Sequence, residues 1–519
     1  MWLSEKMIRF RVFRYDPDTD DSPRFAVYEV PYVERMRILD ALNYIHDNYD
    51  GTLAYRWVCR ANQCGSCTVT VDGKPGPACK TEVPVDSVEI TIEPLRVFPV
   101  IKDLVTDIDR GYDKYMTLRP YLERHSKPKR PEMITAEDIE QIKEFRSCIE
   151  CWACVSICPV INEVWDEYAG PMSMRKLAEL SCDKRDILDR VSVALVEGAY
   201  NCTSCKNCWA VCPQEIKIPE KATEKLRARA IEKGLAPLPP HKVAIASIRN
   251  YWNPWMAPRG QRVRWAKGYD LPSSAETMFF AGCSPSLLRQ NLVENVVKIY
   301  SALGEKIGYL GKEERCCSSP LLRVGDIGLF KEMAKANIDA MKKAGAKRVV
   351  VTCAGCYKAW KEDYIEWFGD YGIEVVHISE VLENAIRNGK LKLNEVPENH
   401  VTVTYHDPCH LGRAGGVYDP PRRVLESIPG VRIVEMSRNR ENSACCGSGG
   451  GVKTARPNLA TTIGGARLEM VRETGAEVIV SCCPWCEQNI EDSIKAGDFP
   501  SWRVLDLVDL VAAALEREE

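Results

Sequence analysis

Cysteine is the residue of this chain that can do chemistry, and its spacing says which chemistry. Cys148, Cys151, Cys154 and Cys158 precede Pro159, and Cys202, Cys205, Cys208 and Cys212 precede Pro213. Each run reads Cys-x2-Cys-x2-Cys-x3-Cys-Pro, the run of two cubane [4Fe–4S] clusters in which the fourth cysteine of each run ligates the other cluster. That rule gives Cys148, Cys151, Cys154 and Cys212 to one cluster, and Cys202, Cys205, Cys208 and Cys158 to the second. Four-cysteine zinc sites are the alternative for paired Cys-x2-Cys, but three close cysteines and a Cys-Pro, given twice, favour iron–sulfur.

A second pattern lies upstream. Cys59, Cys64 and Cys67 are followed at a distance by Cys79, the Cys-x4-Cys-x2-Cys spacing of a plant-type [2Fe–2S] site. Gly65 and Ser66 sit between ligands, where small residues let backbone N–H groups approach sulfur and help set the potential. A zinc ribbon is the competing reading. A third pattern fills the C-terminal half. Cys283, Cys316, Cys317, Cys353 and Cys356 recur as Cys409, Cys445, Cys446, Cys483 and Cys486, at offsets of 126 to 130 residues. Five cysteines with an adjacent pair suit neither a tetrahedral zinc site nor one cubane. The three patterns use 22 of the 24 cysteines, leaving Cys182 and Cys482 as ordinary residues.

The elements that must hold these residues follow from periodicity. Ile8–Tyr15, Arg24–Val30 and Val88–Ile92 read as strands, and Ile38–Ile45 as a helix, around the first cysteine loop. Gly234–Pro240 is a Pro-rich break after a helix at Ala222–Lys233. The Trp-, Pro- and Arg-rich stretch that follows reads as a packed connector, with a substrate-gating loop as the alternative. In the repeat, strand-like Thr277–Ala281 and Val401–Tyr405 lead to the first cysteine of each half. Helical Asn337–Lys343 and Ala466–Arg472 reach Gly345 and Gly475, and strands Val349–Thr352 and Val478–Ser481 deliver Cys-x2-Cys. Alternating strands and helices indicate an α/β fold in two pseudo-symmetric halves. Trp502–Leu515 reads as an amphipathic terminal helix. The expected boundaries are 1–100, 101–235, a linker at 236–274, 275–398 and 399–519.

Composition narrows the function. The chain has 519 residues, too many for one ordinary core, and a net charge of −3 without a basic stripe for nucleic acid. No apolar run is long enough to span a membrane and no signal peptide is visible, so a cytoplasmic protein is expected. Clustered cysteines in a reducing compartment read as metal ligands rather than disulfides.

The loop Cys59–Cys67, the segment Pro99–Val105, the double Cys-Pro run and Tyr168-Ala-Gly-Pro171 resemble the iron–sulfur subunit of succinate dehydrogenases and fumarate reductases, over about residues 5–235. The resemblance implies a β-grasp ferredoxin domain, an α-helical bacterial-ferredoxin domain, and a separate flavoprotein subunit facing the [2Fe–2S] cluster. No strand–GxGxxG–helix unit is found here, so FAD is expected on that partner and not on this chain. Many members lack the middle cysteine of the second run and carry [3Fe–4S]; Cys205 fills that position, so [4Fe–4S] is expected. Both C-terminal halves resemble the double Cys-Cys-Gly family, above all a cysteine-rich subunit of heterodisulfide reductases. There each five-cysteine motif is taken to hold a non-cubane [4Fe–4S] cluster. The first half departs from the motif, reading Cys316-Cys317-Ser318.

The fusion of these two parts resembles the layout of the thiol:fumarate reductases of methanogenic archaea. The resemblance implies that coenzyme M and coenzyme B thiols bind between the two non-cubane clusters and are joined as the heterodisulfide, with electrons passing to the flavoprotein that reduces fumarate; in reverse, the site would reduce the heterodisulfide. Tyr405-His-Asp-Pro-Cys-His-Leu-Gly-Arg413 offers His406 and His410 as proton acceptors and Arg413 as a two-pronged grip on an anion. The plainer reading has His406 and Asp407 pairing to brace the loop. Arg323 and Lys453 follow the two cysteine pairs and read as solvated surface, with anion contact the alternative. Two other functions compete: the iron–sulfur subunit of a succinate:quinone oxidoreductase, and an electron-transfer module without a catalytic site.

Overall fold

The computed structural model describes residues 6–125, 131–396 and 401–515. These form a mixed α/β protein that separates into two compact units, Met1–Ala199 with Lys206–Leu226, and Tyr200–Cys205 with Arg227–Glu519.

The first unit begins with strand β1 (Met7–Arg14), on which Ile8, Phe10 and Val12 are fully buried between exposed Met7, Arg9 and Arg11. This period-2 alternation places one face on a core. β2 (Arg24–Pro31) pairs with it antiparallel. Helix α1 (Ile38–Asn48) buries Ile38, Leu39, Leu42 and Ile45, the spacing of an amphipathic helix. The hairpin of β3 (Thr68–Val71) and β4 (Lys74–Pro77) and the strand β5 (Glu89–Glu93) complete a five-stranded sheet of order β2-β1-β5-β3-β4. The hairpin was not among the sequence expectations. Its turn is Asp72-Gly73, both with positive φ (46° and 73°), the backbone that an Asp-Gly hairpin turn requires. A short antiparallel pair, β6 (Val100–Lys102) and β7 (Val105–Thr106), precedes the helical part. There, Ala136–Arg146 and Pro171–Cys182 flank the cysteine loops. The helix expected over Ala222–Lys233 is a π-helical segment, Ile218–Glu224, running into the α-helix Lys225–Glu232.

The second unit contains two four-stranded sheets in which every pairing is parallel. The first consists of β8 (Thr277–Phe280), β9 (Gly308–Tyr309), β10 (Arg348–Val351) and β11 (Glu374–His377), in order β11-β10-β8-β9. The second consists of β12 (Val401–Tyr405), β13 (Val431–Ile433), β14 (Val478–Ser481) and β15 (Arg503–Asp506), in order β13-β12-β14-β15. Val349–Val351 and Val478–Val480 are wholly buried runs, as expected of strands covered by helices on both faces.

Trp502–Leu515 is not one helix: Arg503–Asp506 joins the sheet as β15, and Asp506 caps a shorter helix, Leu507–Ala513. The adjacent Val504 and Leu505, with Leu507, Val508, Leu510 and Val511 beyond them, imitate a helical stripe over so short a span. The Trp-rich connector is packed, as its composition suggested. Trp265 is buried against Phe279 and Tyr309, and the Trp252 carbonyl accepts the Cys316 N–H at 2.9 Å.

Candidate iron–sulfur and thiol site

Parallel α/β sheets present ligand sites at the carboxyl ends of their strands. The cysteines of the repeat are placed there. Cys283 and Cys409 follow β8 and β12; Cys353 and Cys483 follow β10 and β14, with Cys356 and Cys486 on the succeeding helices. The adjacent pairs come between β9 or β13 and a short helix. All ten cysteines line one cavity, with Thr203, Arg323, His410 and Trp485 among its other walls. Cys446 Sγ and Cys486 Sγ are 3.3 Å apart, and Cys283 Sγ and Cys316 Sγ 3.9 Å. Nine of the ten are buried. Burial pushes the Cys409 thiol up to about 12, with the Arg413 charge opposing it. Sulfurs so desolvated hold thiolate charge only with a compensating cation, which suits metal ligation.

Both adjacent pairs are followed by a residue of left-handed backbone: Ser318 (φ 64°) and Gly447 (φ 91°). In each half that residue's N–H points at the first sulfur, Ser318 N to Cys316 Sγ at 3.4 Å and Gly447 N to Cys445 Sγ at 3.2 Å. Ser318 therefore occupies the glycine position, and its hydroxyl bonds the Cys316 carbonyl, not a sulfur.

In the first unit, Cys148, Cys151, Cys154 and Cys212 line a single cavity with Arg175, whose guanidinium is buried and tied to the Phe145 carbonyl and Glu179. The fourth cysteine of the second run thus joins the first three of the first. Burial raises the Cys151 thiol to about 12. Cys158 and Cys208 also belong to this unit, and Cys202 and Cys205 to the other. The two runs share left-handed backbone on both sides of their second cysteine, at Glu150 and Trp152 and again at Ser204 and Lys206. Such strained backbone in non-glycine residues clusters at functional sites.

The upstream loop shows the same N–H-to-sulfur pattern. Ala61 N and Gln63 N point at Cys59 Sγ (3.4 and 3.5 Å), and these bonds lower that thiol to about 6. Cys64 is exposed beside Ser66, Cys59 and Cys79 are half-buried, and Cys67 is buried. A Cβ on Gly65 would lie 2.8 Å from Cys151 Cα, so only glycine lets this loop approach the first Cys-Pro run. Cys182 and Cys482 line neither of these two cavities.

The structure redistributes the remaining candidates. Only His410 of the three proposed catalytic side chains lines the ten-cysteine cavity. It sits with Arg413 on a π-helical turn, His410–Ala414, directly after Cys409. Arg413 is not a two-pronged anion grip: Nε donates to the Cys205 carbonyl at 2.8 Å, and Nη1 to the carbonyls of Ser443 (2.8 Å) and Glu441 (3.2 Å). It clamps the Cys205 loop to the second half. His406 does not brace Asp407, which takes both Nη groups of Arg422 at 2.7 and 2.9 Å. His406 instead faces Arg467, whose Nε donates to Nδ1 at 3.3 Å. Arg323 is not solvated surface but buried, paired with Asp363, which also takes Lys358. Lys453 pairs with Asp492 at 2.6 Å.

Sequence reasoning named Arg323 and Arg413 but missed the buried Arg227 and Arg467. Arg227 donates to the carbonyls of Cys202, Arg323 and Gly450, joining the Cys202–Cys205 loop to both halves of the repeat. Beside it, Cβ atoms on Gly449 and Gly450 would lie 2.3 and 2.2 Å from the carbonyls of Thr203 and Cys202. The only sequence signal was an arginine within an otherwise apolar helical stripe, as at Arg467 between Ile463 and Leu468.

Comparison with known proteins agrees with this geometry. Residues 9–113 match the model of a 2Fe-2S iron-sulfur cluster binding domain, 144–216 that of a 4Fe-4S dicluster domain, and 277–360 and 403–491 each match a cysteine-rich domain. Fold and site together define an iron–sulfur electron-transfer subunit of an oxidoreductase. The chain belongs to the family of a fumarate reductase (CoM/CoB) subunit from Methanothermobacter marburgensis, to which it is 36% identical over 515 residues, 97% of this chain and 99% of that one. It is also similar to a dihydromethanophenazine:CoB–CoM heterodisulfide reductase subunit from Methanosarcina mazei, 34% identical over 411 residues, 73% of this chain and 96% of that one. A crystal structure of a hypothetical protein from Helicobacter pylori is similar in fold alone, with a TM-score of 0.66 at 14% identity, covering 100% of this chain and 96% of that one. Among the described residues no helix is long and apolar enough to cross a membrane.

Proposed function

We propose that this subunit joins two anionic thiols, coenzyme M and coenzyme B, into their heterodisulfide, and that the two electrons leave for a flavoprotein partner that carries FAD and reduces fumarate. The observation that carries this reading is that all ten cysteines of the repeat open on one cavity. An electron relay needs no shared cavity, whereas joining two thiols does.

In this reading the five cysteines of each half hold one non-cubane [4Fe–4S] cluster. Cys148, Cys151, Cys154 and Cys212 hold one cubane, Cys158, Cys202, Cys205 and Cys208 the other, and Cys59, Cys64, Cys67 and Cys79 the [2Fe–2S] cluster. When bound, these centres supply one-electron acceptors beside the thiols and a relay away from them. The protein supplies the rest. His410, on the cavity wall, takes the thiol proton. Arg323 reaches the same wall and is held there by Asp363, which also takes Lys358. Arg413 and Arg227 fix the Cys202–Cys205 loop against the repeat. The domain limits inferred from sequence, a β-grasp N-terminal sheet, a bacterial-ferredoxin-like helical part, a pseudo-symmetric tandem repeat and a cytoplasmic location all accord with this assignment.

The test is an anaerobic assay of the complex purified with its flavoprotein partner. Fumarate-dependent consumption of the mixed thiols is expected. Quinone reduction without thiol oxidation would favour a succinate:quinone oxidoreductase and refute the proposal.

A further inference from the structure

Three residues before the first cysteine, the two halves of the repeat diverge. The first half has Phe280, fully buried with its ring 5.4 Å from that of Trp360. The second has His406, equally buried. A ring nitrogen of His406 lies within 4.8 Å of Cys446 Sγ and Cys486 Sγ. Nδ1 already accepts a hydrogen bond from Arg467 Nε. Arginine has donors only and does not give up its proton in proteins, so Nδ1 must keep its lone pair toward it. A neutral imidazole then carries its proton on Nε2. Arg467 is itself held in place, with Nη1 donating to the Arg438 carbonyl at 2.7 Å and Nη2 to Ser443 Oγ at 3.5 Å. At the offset of 129 residues that relates the two cysteine pairs, the first half has buried Ile338 in place of Arg467. One half thus has an Arg–His pair where the other has Ile and Phe.

We propose that Arg467 is a positioning residue that locks His406 as an Nε2–H donor to the sulfur of Cys446, so that the second half's centre has the higher reduction potential of the two. A donor bond to a ligating sulfur stabilises the reduced, more negative state, and no such donor stands at Phe280. With Nδ1 facing Arg467 and Nε2 protonated, the ring has no lone pair for iron, so His406 is a donor and not a ligand. The pair also gives the buried Arg467 a role beside the cysteines. The inference rests on the reading of each half as a cluster site, and deepens it by making the halves inequivalent: the second, whose Cys445 Sγ is 3.5 Å from Thr203 Oγ1 in the Cys202–Cys205 loop, is the one that collects electrons.

The test is a spectroelectrochemical titration of the full chain with its clusters, with iron analysis and pulsed EPR in H2O and D2O. His406→Phe copies the first half. It is expected to lower the one-electron reduction constant of one centre about tenfold, or about 59 mV, to abolish an exchangeable-proton coupling, and to leave the iron content unchanged. His406→Gln keeps an N–H and is expected to restore most of the shift. Arg467→Met releases the tautomer and is expected to shift the same centre in the same direction by less. Unmoved midpoints in His406→Phe with all iron retained would overturn the proposal, and so would loss of one cluster's iron, which would make His406 a ligand. Wild-type iron sufficient only for the [2Fe–2S] and cubane centres would overturn the cluster reading, and this inference with it; iron analysis separates that failure from the other two.

Discussion

At the scale of the residue, the two halves solve one backbone problem with different side chains. Gly447 and Ser318 hold the same left-handed turn, but a Cβ on Gly447 would lie 2.1 Å from the Ala460 carbonyl oxygen, whereas Ser318 is accommodated and bonds the Cys316 carbonyl. Gly447→Ala is therefore expected to cost about 2–4 kcal/mol and to lower the iron content of the chain. Ser318→Gly should stay within about 1 kcal/mol of wild type. Thermal unfolding with iron analysis measures both. Cys205 is the second prediction at this scale. Oxidised wild-type protein should show no stoichiometric [3Fe–4S] EPR signal, and Cys205→Ser should produce one; such a signal in the wild type would remove Cys205 from the ligands. The cysteines were legible because each motif carries its own spacing. The roles of His406, Arg413 and Arg323 were not, because they depend on partners 61, 208 and 40 residues away in sequence. A linear motif says which residues flank a ligand, not which of them turn toward the cavity.

At the scale of the element, the strands that deliver cysteines were readable to within one or two residues, since buried β-branched runs that end in Cys-x2-Cys have few alternatives. The errors fall where periodicity is short. The Asp72-Gly73 hairpin joins strands of only four residues, and β15 with its capped helix compresses two elements into one apparent stripe. The end of β11 supports a pH prediction. His377 is wholly buried; its Nδ1 accepts the Ser379 N–H at the start of the helix Ile378–Arg387, which leaves Nε2–H for the Thr352 carbonyl at 3.1 Å. Burial lowers its pKa from 6.5 to about 4. Because the folded state binds the proton less readily than the unfolded, stability is fully present above about pH 6.5 and is lost as pH falls toward 4. The loss amounts to at most about 3 kcal/mol. Urea midpoints between pH 5 and 7 should fall with acidity in the wild type and fall less in His377→Gln. Equal slopes would show that His377 does not govern this range.

At the scale of the whole molecule, the chain combines two arrangements of clustered cysteines with different structural requirements. The N-terminal unit holds its cysteines in loops that approach one another closely enough to demand glycine at position 65. The C-terminal unit places ten at strand ends around one cavity, and the Arg227 and Arg413 clamps tie the Cys202–Cys205 loop to it. The α/β character of the C-terminal repeat followed from strand and helix alternation. The clamps did not, since buried arginines that bond backbone carbonyls leave no pattern in the partner sequence. Thiol oxidation is proposed at the ten-cysteine cavity and nowhere else in the complex. The decisive comparison sets wild type against Cys353→Ser and Cys483→Ser, with heterodisulfide formed and succinate formed quantified together, alongside fumarate reduction driven by reduced viologen dye at the flavoprotein. One heterodisulfide per succinate is expected in the wild type, and in both variants loss of thiol oxidation with dye-driven fumarate reduction retained. Thiol oxidation that persists in the variants at the wild-type rate would contradict it.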